Sequence, residues 1–136
     1  MNQSIHRVSP RKLICIPILF AEKGKKTYSV DYSSDLSEGG VLIQTENPLP
    51  VGTYVNLKFR LPNAIKLIEI TGEVVWSHPY IPGQTDLNLI PGMGVKFLDI
   101  SETAKIYIET FVMSEREKRA QLDDLLSEMN TGEEGR

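Results

Sequence analysis

The hydrophobic period of this chain changes once, near residue 100, and that change limits the folds open to it. Before it, apolar residues alternate in short runs broken by Gly and Pro. "TYVNLKFRL" sets Val55, Leu57, Phe59 and Leu61 against Asn56, Lys58 and Arg60, the period of a half-buried strand. After it, "SETAKIYIETFVMSEREKRAQLDDLLSEMN" holds neither Pro nor Gly. There Ala104, Tyr107, Ile108, Phe111 and Val112 fall at helical spacing, and so do Leu122, Leu125, Leu126 and Met129. Strands followed by one helix, with no strand–helix–strand alternation, predict an all-β fold: a small antiparallel barrel or sandwich capped by a C-terminal helix.

The strand pattern counts to six. "KLICIPILFA" reads as a buried strand, with Cys15 as a small hydrophobe inside it; Pro17 marks an edge or a bulge. "KTYSVDYSS" places Tyr28, Val30 and Tyr32 on the core face and Ser29, Asp31 and Ser33 on the other. "GVLIQT" and "TYVNLKFRL" follow. In "IKLIEITGEVVW", Gly72 predicts a bulge or bend and Trp76 reads as core packing. "MGVKFLDI" closes the set after a long Pro- and Gly-containing loop. Asp99 or Ser101 can cap the helix, with Glu102 three residues after Asp99 as in a capping box. The chain thus divides into an N-terminal segment over 1–12, a barrel over 13–100, a helix over 101–130 and a frayed tail over 131–136. The first half of the helix suits the open end of a barrel. The second half, beyond the polar "SEREKR", serves either a partner, including homodimerisation, or packing on its own domain; the pattern does not choose.

Composition narrows function by exclusion. Net charge is −3, so no global basic field favours a nucleic-acid polymer. The longest apolar run is too short to span a bilayer, and no signal-peptide pattern opens the chain, so the expected setting is cytoplasmic, without a membrane. A single Cys cannot form an internal disulfide. No Cys/His cluster, phosphate loop, dinucleotide fingerprint or nucleophile elbow is present, so no metal, cofactor or enzymatic activity is expected. Asp31 and Asp35 flank one turn, but no apolar pocket accompanies them to make an acid/base pair.

Two short motifs remain. "SSDLSEGGVLIQ" has the chemistry of a tight hairpin: Asp and Ser bond back to the backbone, and Gly admits positive φ. Near the N-terminus, Arg7 and Arg11 stand four apart in a segment that Pro10 keeps from being helical. An arginine fork matches both phosphate oxygens and the O6/N7 edge of guanine. Asp35 can accept from the ring N–H and exocyclic amine on guanine's other edge. Ser37 can bond base or phosphate, and Gly40 lets a flat base approach the backbone. Together the residues complement a guanine nucleotide with bare phosphates.

R-x-x-x-R followed by (D/N)-x-S-x-x-G resembles the signature of PilZ domains, bacterial receptors for cyclic di-GMP. Arg7-Val8-Ser9-Pro10-Arg11 and Asp35-Leu36-Ser37-Glu38-Gly39-Gly40 carry both halves. "NPLPVGTYVNLKFRLP", "ITGEVVWS" and "GMGVKFLDIS" look like later PilZ strands, and the whole is most similar to small stand-alone deltaproteobacterial members. The resemblance implies a six-stranded antiparallel PilZ-type barrel with a C-terminal α-helix. It implies that Arg7 and Arg11 lie on a flexible segment wrapping over the ligand, with Asp35, Ser37 and Gly40 as the floor. A cyclic di-GMP receptor would act through an unknown downstream protein partner, in motility, pili or biofilm regulation. The alternative it carries is a PilZ-fold interaction adaptor that binds no nucleotide. His6, the residue before the first Arg, stands where family members binding a stacked ligand pair often carry another Arg.

Overall fold

The computed structural model describes residues 14–62, 64, 66–83 and 90–134. The expected 1–12 segment, with His6, Arg7 and Arg11, lies outside the described residues.

Six strands form in sequence order: β1 Pro17–Glu22, β2 Ser29–Ser37, β3 Gly40–Gln44, β4 Tyr54–Phe59, β5 Ile68–His78 and β6 Gly92–Asp99. All neighbours pair antiparallel in the cyclic order β1-β2-β3-β6-β5-β4, and β1 closes the barrel by pairing with β4 as well as β2. Closure leaves no strand edge unpaired. The expected six-stranded antiparallel barrel is therefore the one found. Pro17, which has no N–H for a ladder, sits at the first position of β1, where that loss costs least.

Alternation fixes the interior on β4, where Val55, Leu57 and Phe59 are buried, as is Leu61 just beyond. The bulge expected at Gly72 falls on the partner strand instead: Thr71 pairs with Asp99 and Gly72 with Phe97, so Leu98 of β6 is the extra residue and β5 alternates unbroken through Gly72. β2 departs from expectation. Val30 and Tyr32 are exposed, at 55% and 53%, while Ser33 is buried. Side-chain size alone would reverse this. The inward set is decided instead by pairing: Ser33 opposes the buried Ile43, and Leu36 opposes the buried Val41. Tyr28, half-buried, lies under the Lys58 ammonium at 4.8 Å from its ring centre. Cys15 is exposed rather than buried, because Ile14 and Ile16 on either side take the inward positions.

Helix α1 runs Glu102–Glu134, past the expected end at 130. Ser101 is its cap: the Ser101 hydroxyl accepts from the Ala104 N–H at 3.1 Å. Glu102 adds favourable negative charge to the first turn. Ala104, Ile108, Phe111 and Val112 join the barrel core, whereas Tyr107 is 40% exposed. Ile108 is fully buried, so its truncation to Ala would cost about 2–5 kcal/mol. From Ala120 to Met129 every residue is exposed, including Leu122, Leu125, Leu126 and Met129. The second half of α1 thus extends beyond the barrel. Ion pairs Lys118–Glu115 and Arg119–Asp123, both at 3.4 Å, brace the transition.

Candidate functional site

The D-x-S-x-x-G motif is the β2–β3 hairpin itself. Asp35 and Ser37 end β2, Glu38 and Gly39 turn, and Gly40 opens β3 opposite Ser37. Both polar side chains do bond back to the backbone. Asp35 Oδ1 accepts from the Leu36 N–H at 2.9 Å, and Ser37 Oγ accepts from the Gly39 N–H at 3.3 Å. Ser37 Oγ also faces the Gly40 carbonyl at 3.5 Å. Neither Gly39 nor Gly40 adopts positive φ, so the turn does not use that freedom of glycine.

Gly40 is required for another reason. A Cβ there would stand 2.5 Å from the Val95 carbonyl oxygen on β6. Backbone, not a movable side chain, occupies the space. Gly39 differs: the nearest atom to its added Cβ is Ser37 Oγ at 3.9 Å.

What brings Asp35 and Ser37 to the outer surface is a bulge. Ser33 and Leu36 are both buried although three residues apart, and the register shifts between Ser33 and Asp35. In strict alternation an inward Ser33 would carry Asp35 and Ser37 inward too. The extra residue, Ser34, inverts the order, so that Leu36 enters the core and Asp35 and Ser37 become half-buried on the outside.

A second bulge does the same on β5. Register shifts between Val74 and Trp76, leaving Val75 as the extra residue. Val74 is buried, and Trp76 emerges 47% exposed rather than in the core. Its indole stacks on the His78 ring, centroids 6.2 Å apart and planes 20° apart.

The two bulges bring their products into one row. Asp35 pairs with Leu42, Leu42 with Gly94, and Gly94 with Trp76, crossing β2, β3, β6 and β5. At about 4.8 Å per strand the row is about 14 Å long. Gly94 is buried at its middle because the Leu42 and Trp76 side chains close over it: an added Cβ would approach Leu42 Cδ2 to 3.1 Å and Trp76 Cβ to 3.4 Å. Beside it runs a second row, Ser37, Gly40, Lys96 and Glu73, in which Lys96 is exposed. Two carboxylates, Asp35 and Glu73, one hydroxyl, one ammonium and one aromatic face thus share a surface of planar-ligand size.

The chain leading to the N-terminus reaches the barrel next to this surface. Ser33 N–H donates to the Ile16 carbonyl at 2.9 Å. Ser33 Oγ donates to the Ile14 carbonyl at 2.8 Å and accepts from the Ile16 N–H at 3.0 Å.

Asp31 and Asp35 do not form a dyad. They are four residues apart along β2, on the order of 13 Å, and Asp31 lines a separate cleft with Gln44, Glu46 and Tyr80. Among the described residues, no three His, Cys, Asp or Glu side chains gather as a metal site, and no helix is long and apolar enough to cross a membrane.

The chain is thus a small closed six-stranded antiparallel β-barrel, capped by its C-terminal helix and bearing D-x-S-x-x-G on its second hairpin. The model of the PilZ domain matches residues 6–114, and the chain belongs to that family. The match spans R-x-x-x-R, the hairpin motif and the docked part of α1. No curated protein matches the chain.

Sequence reasoning placed Asp35, Ser37 and Gly40 on one hairpin, and the structure brings them together. It faced Trp76 inward and Ser33 outward, the reverse of what the structure shows. The signals were present but faint: "VV" before Trp76 and "SS" before Asp35 each hold one residue too many for alternation.

Proposed function

We propose that this protein is a cyclic di-GMP receptor of the cytoplasm that turns nucleotide binding into a changed protein-interaction surface. The observation that carries this is the Asp35–Leu42–Gly94–Trp76 row, flanked by Ser37 and Gly40. A carboxylate spends one lone pair on Leu36 N–H and retains others for guanine's ring N–H and amine. Ser37 supplies a hydroxyl to base or phosphate. Trp76, half exposed at the far end, offers an aromatic face for a base.

Arg7 and Arg11 supply the phosphate and Hoogsteen contacts. Arg11 stands three positions before Ile14, a reach of at most about 11 Å. Ile14 itself is bonded to Ser33, two residues before Asp35. The chain length therefore allows the arginines to meet ligand on this surface. Ligand would order the 1–12 segment over the row. Ordering costs about 1–2 kcal/mol per residue, offset by bidentate contacts of about 1–3 kcal/mol each. A downstream protein reads the covered surface, with motility, pili or biofilm regulation as the processes that the family suggests. The exposed Leu122–Met129 stripe is a further surface for that partner.

One titration tests the reading. Calorimetry with cyclic di-GMP, GTP and cyclic di-AMP should give heat with the first alone, and Arg7→Ala or Arg11→Ala should weaken it at least about tenfold. No heat with cyclic di-GMP would favour the nucleotide-free adaptor; wild-type affinity in both arginine variants would refute the site.

A further inference from the structure

We propose that Ser33 is a positioning residue for nucleotide binding, the buried anchor that fixes where the arginine segment leaves the barrel. This rests on the receptor reading above and adds a residue outside the motifs that support it.

Ser33 is 1% exposed and serves both sides of the segment root with one oxygen. Its hydroxyl donates to the Ile14 carbonyl and accepts from the Ile16 N–H, while its own N–H bonds the Ile16 carbonyl. In a regular antiparallel pair, the Ile16 N–H would bond a backbone carbonyl on β2. Here the side chain takes it, immediately before the register shift that turns Asp35 outward. Anchor and bulge are therefore adjacent parts of one device. One aligns the site floor and the other aligns the strand from which the arginines depart.

The chemistry is specific to a hydroxyl. One atom must both donate and accept in an apolar setting, opposite Ile43 and beside Ile14 and Ile16. Alanine leaves a buried carbonyl and a buried N–H without this partner. Threonine keeps the hydroxyl. Regular β1–β2 pairing begins only at Pro17, so beyond the burial of Ile14 and Ile16 and the Ser33 N–H bond, the Ser33 hydroxyl sets the position of the root at 14–16 on β2. Without the anchor, the root samples positions from which an arginine cannot meet ligand held at Asp35. Apparent affinity then falls by the fraction of time that the root is correctly placed.

The test titrates wild type, Ser33→Ala, Ser33→Thr and Ile108→Val with cyclic di-GMP by calorimetry, and records unfolding of each without ligand. Ile108 lies in the helix-covered core and matches a loss of stability without touching the root. Ser33→Ala should bind about fivefold to tenfold more weakly, the equilibrium value of one or two net hydrogen bonds. Ser33→Thr should recover most of that loss, and Ile108→Val should bind as wild type although it unfolds earlier. Wild-type affinity in Ser33→Ala would overturn the proposal while leaving the receptor reading intact. So would an equal loss in Ile108→Val, or failure of Ser33→Thr to restore binding. No heat from the wild type would overturn the receptor reading and this proposal with it.

Discussion

Gly39 and Gly40 are neighbours in sequence, yet substitution to Ala should move stability in opposite directions. At Gly40 the new methyl would sit 2.5 Å from the Val95 carbonyl oxygen, with Val95 C and Lys96 Cα at 3.4 and 3.5 Å. No side chain can rotate away, so β3 and β6 must separate along a ladder that extends from Gly40–Lys96 to Gln44–Gly92. Overpacking costs about 1–3 kcal/mol, and against immovable backbone the upper part of that range, about 2–3 kcal/mol, applies; the gain from a stiffer unfolded chain, about 0.4–1 kcal/mol, recovers only part. The net loss of about 1–2.5 kcal/mol lowers Tm by about 3–12 °C for a chain of this size. At Gly39 the nearest atom is 3.9 Å away and φ is not positive. Only the unfolded-state gain remains, and Tm should rise by about 1–4 °C. Thermal unfolding followed by circular dichroism, without nucleotide, measures both. A Gly40→Ala protein melting within a degree of wild type would refute the close-contact argument. Any loss of ligand affinity in that variant would then belong to the ligand and not to the strands.

Asp35→Asn keeps an acceptor for the Leu36 N–H but replaces the free carboxylate oxygen with a donor. Calorimetry should show at least about tenfold weaker cyclic di-GMP binding with Tm unchanged; undiminished affinity would remove Asp35 from the site. Trp76 is the only tryptophan, so its emission reports directly on the surface where ligand is placed. Cyclic di-GMP should quench it to saturation, and Trp76→Ala should weaken binding by about 5- to 100-fold; unchanged emission at saturating ligand would exclude stacking there. Deleting residues from Ala120 onward should leave Tm within about 2 °C, because residues 120–129 are exposed, and a larger fall would show hidden packing. That segment holds Asp123, Asp124, Glu128, Glu133 and Glu134 and, as far as residue 134, no Lys or Arg. Self-association through its stripe should therefore strengthen with salt in sedimentation experiments, and a dimer favoured by low salt would contradict the charge reasoning.

The sequence made the elements legible because each strand of the barrel is long enough to show its period, and because α1 begins where Gly and Pro cease. It misplaced the faces of particular residues where one inserted residue inverts the order. Trp76 follows an ordinary inward Val74 and reads as core until Val75 is recognised as extra. Val30 and Tyr32 look like core by size, and only the partnership of Ser33 with Ile43 shows otherwise. Cys15 fails for the same reason of facing, not of composition. The motif was legible because its residues are local. The reason for Gly40 was not, since the Val95 carbonyl that forbids a side chain is 55 residues away in sequence and adjacent only after β3 meets β6.

The length of α1 has a mechanical consequence. Thirty-three residues make a rod about 50 Å long, gripped by the barrel only along its first third. From Val112 to Glu134 the free arm measures about 33 Å. A tilt of about 10° at the grip would sweep its tip by about 6 Å, so a small shift of the barrel wall there would be enlarged into a displacement visible to a distance probe at the far end.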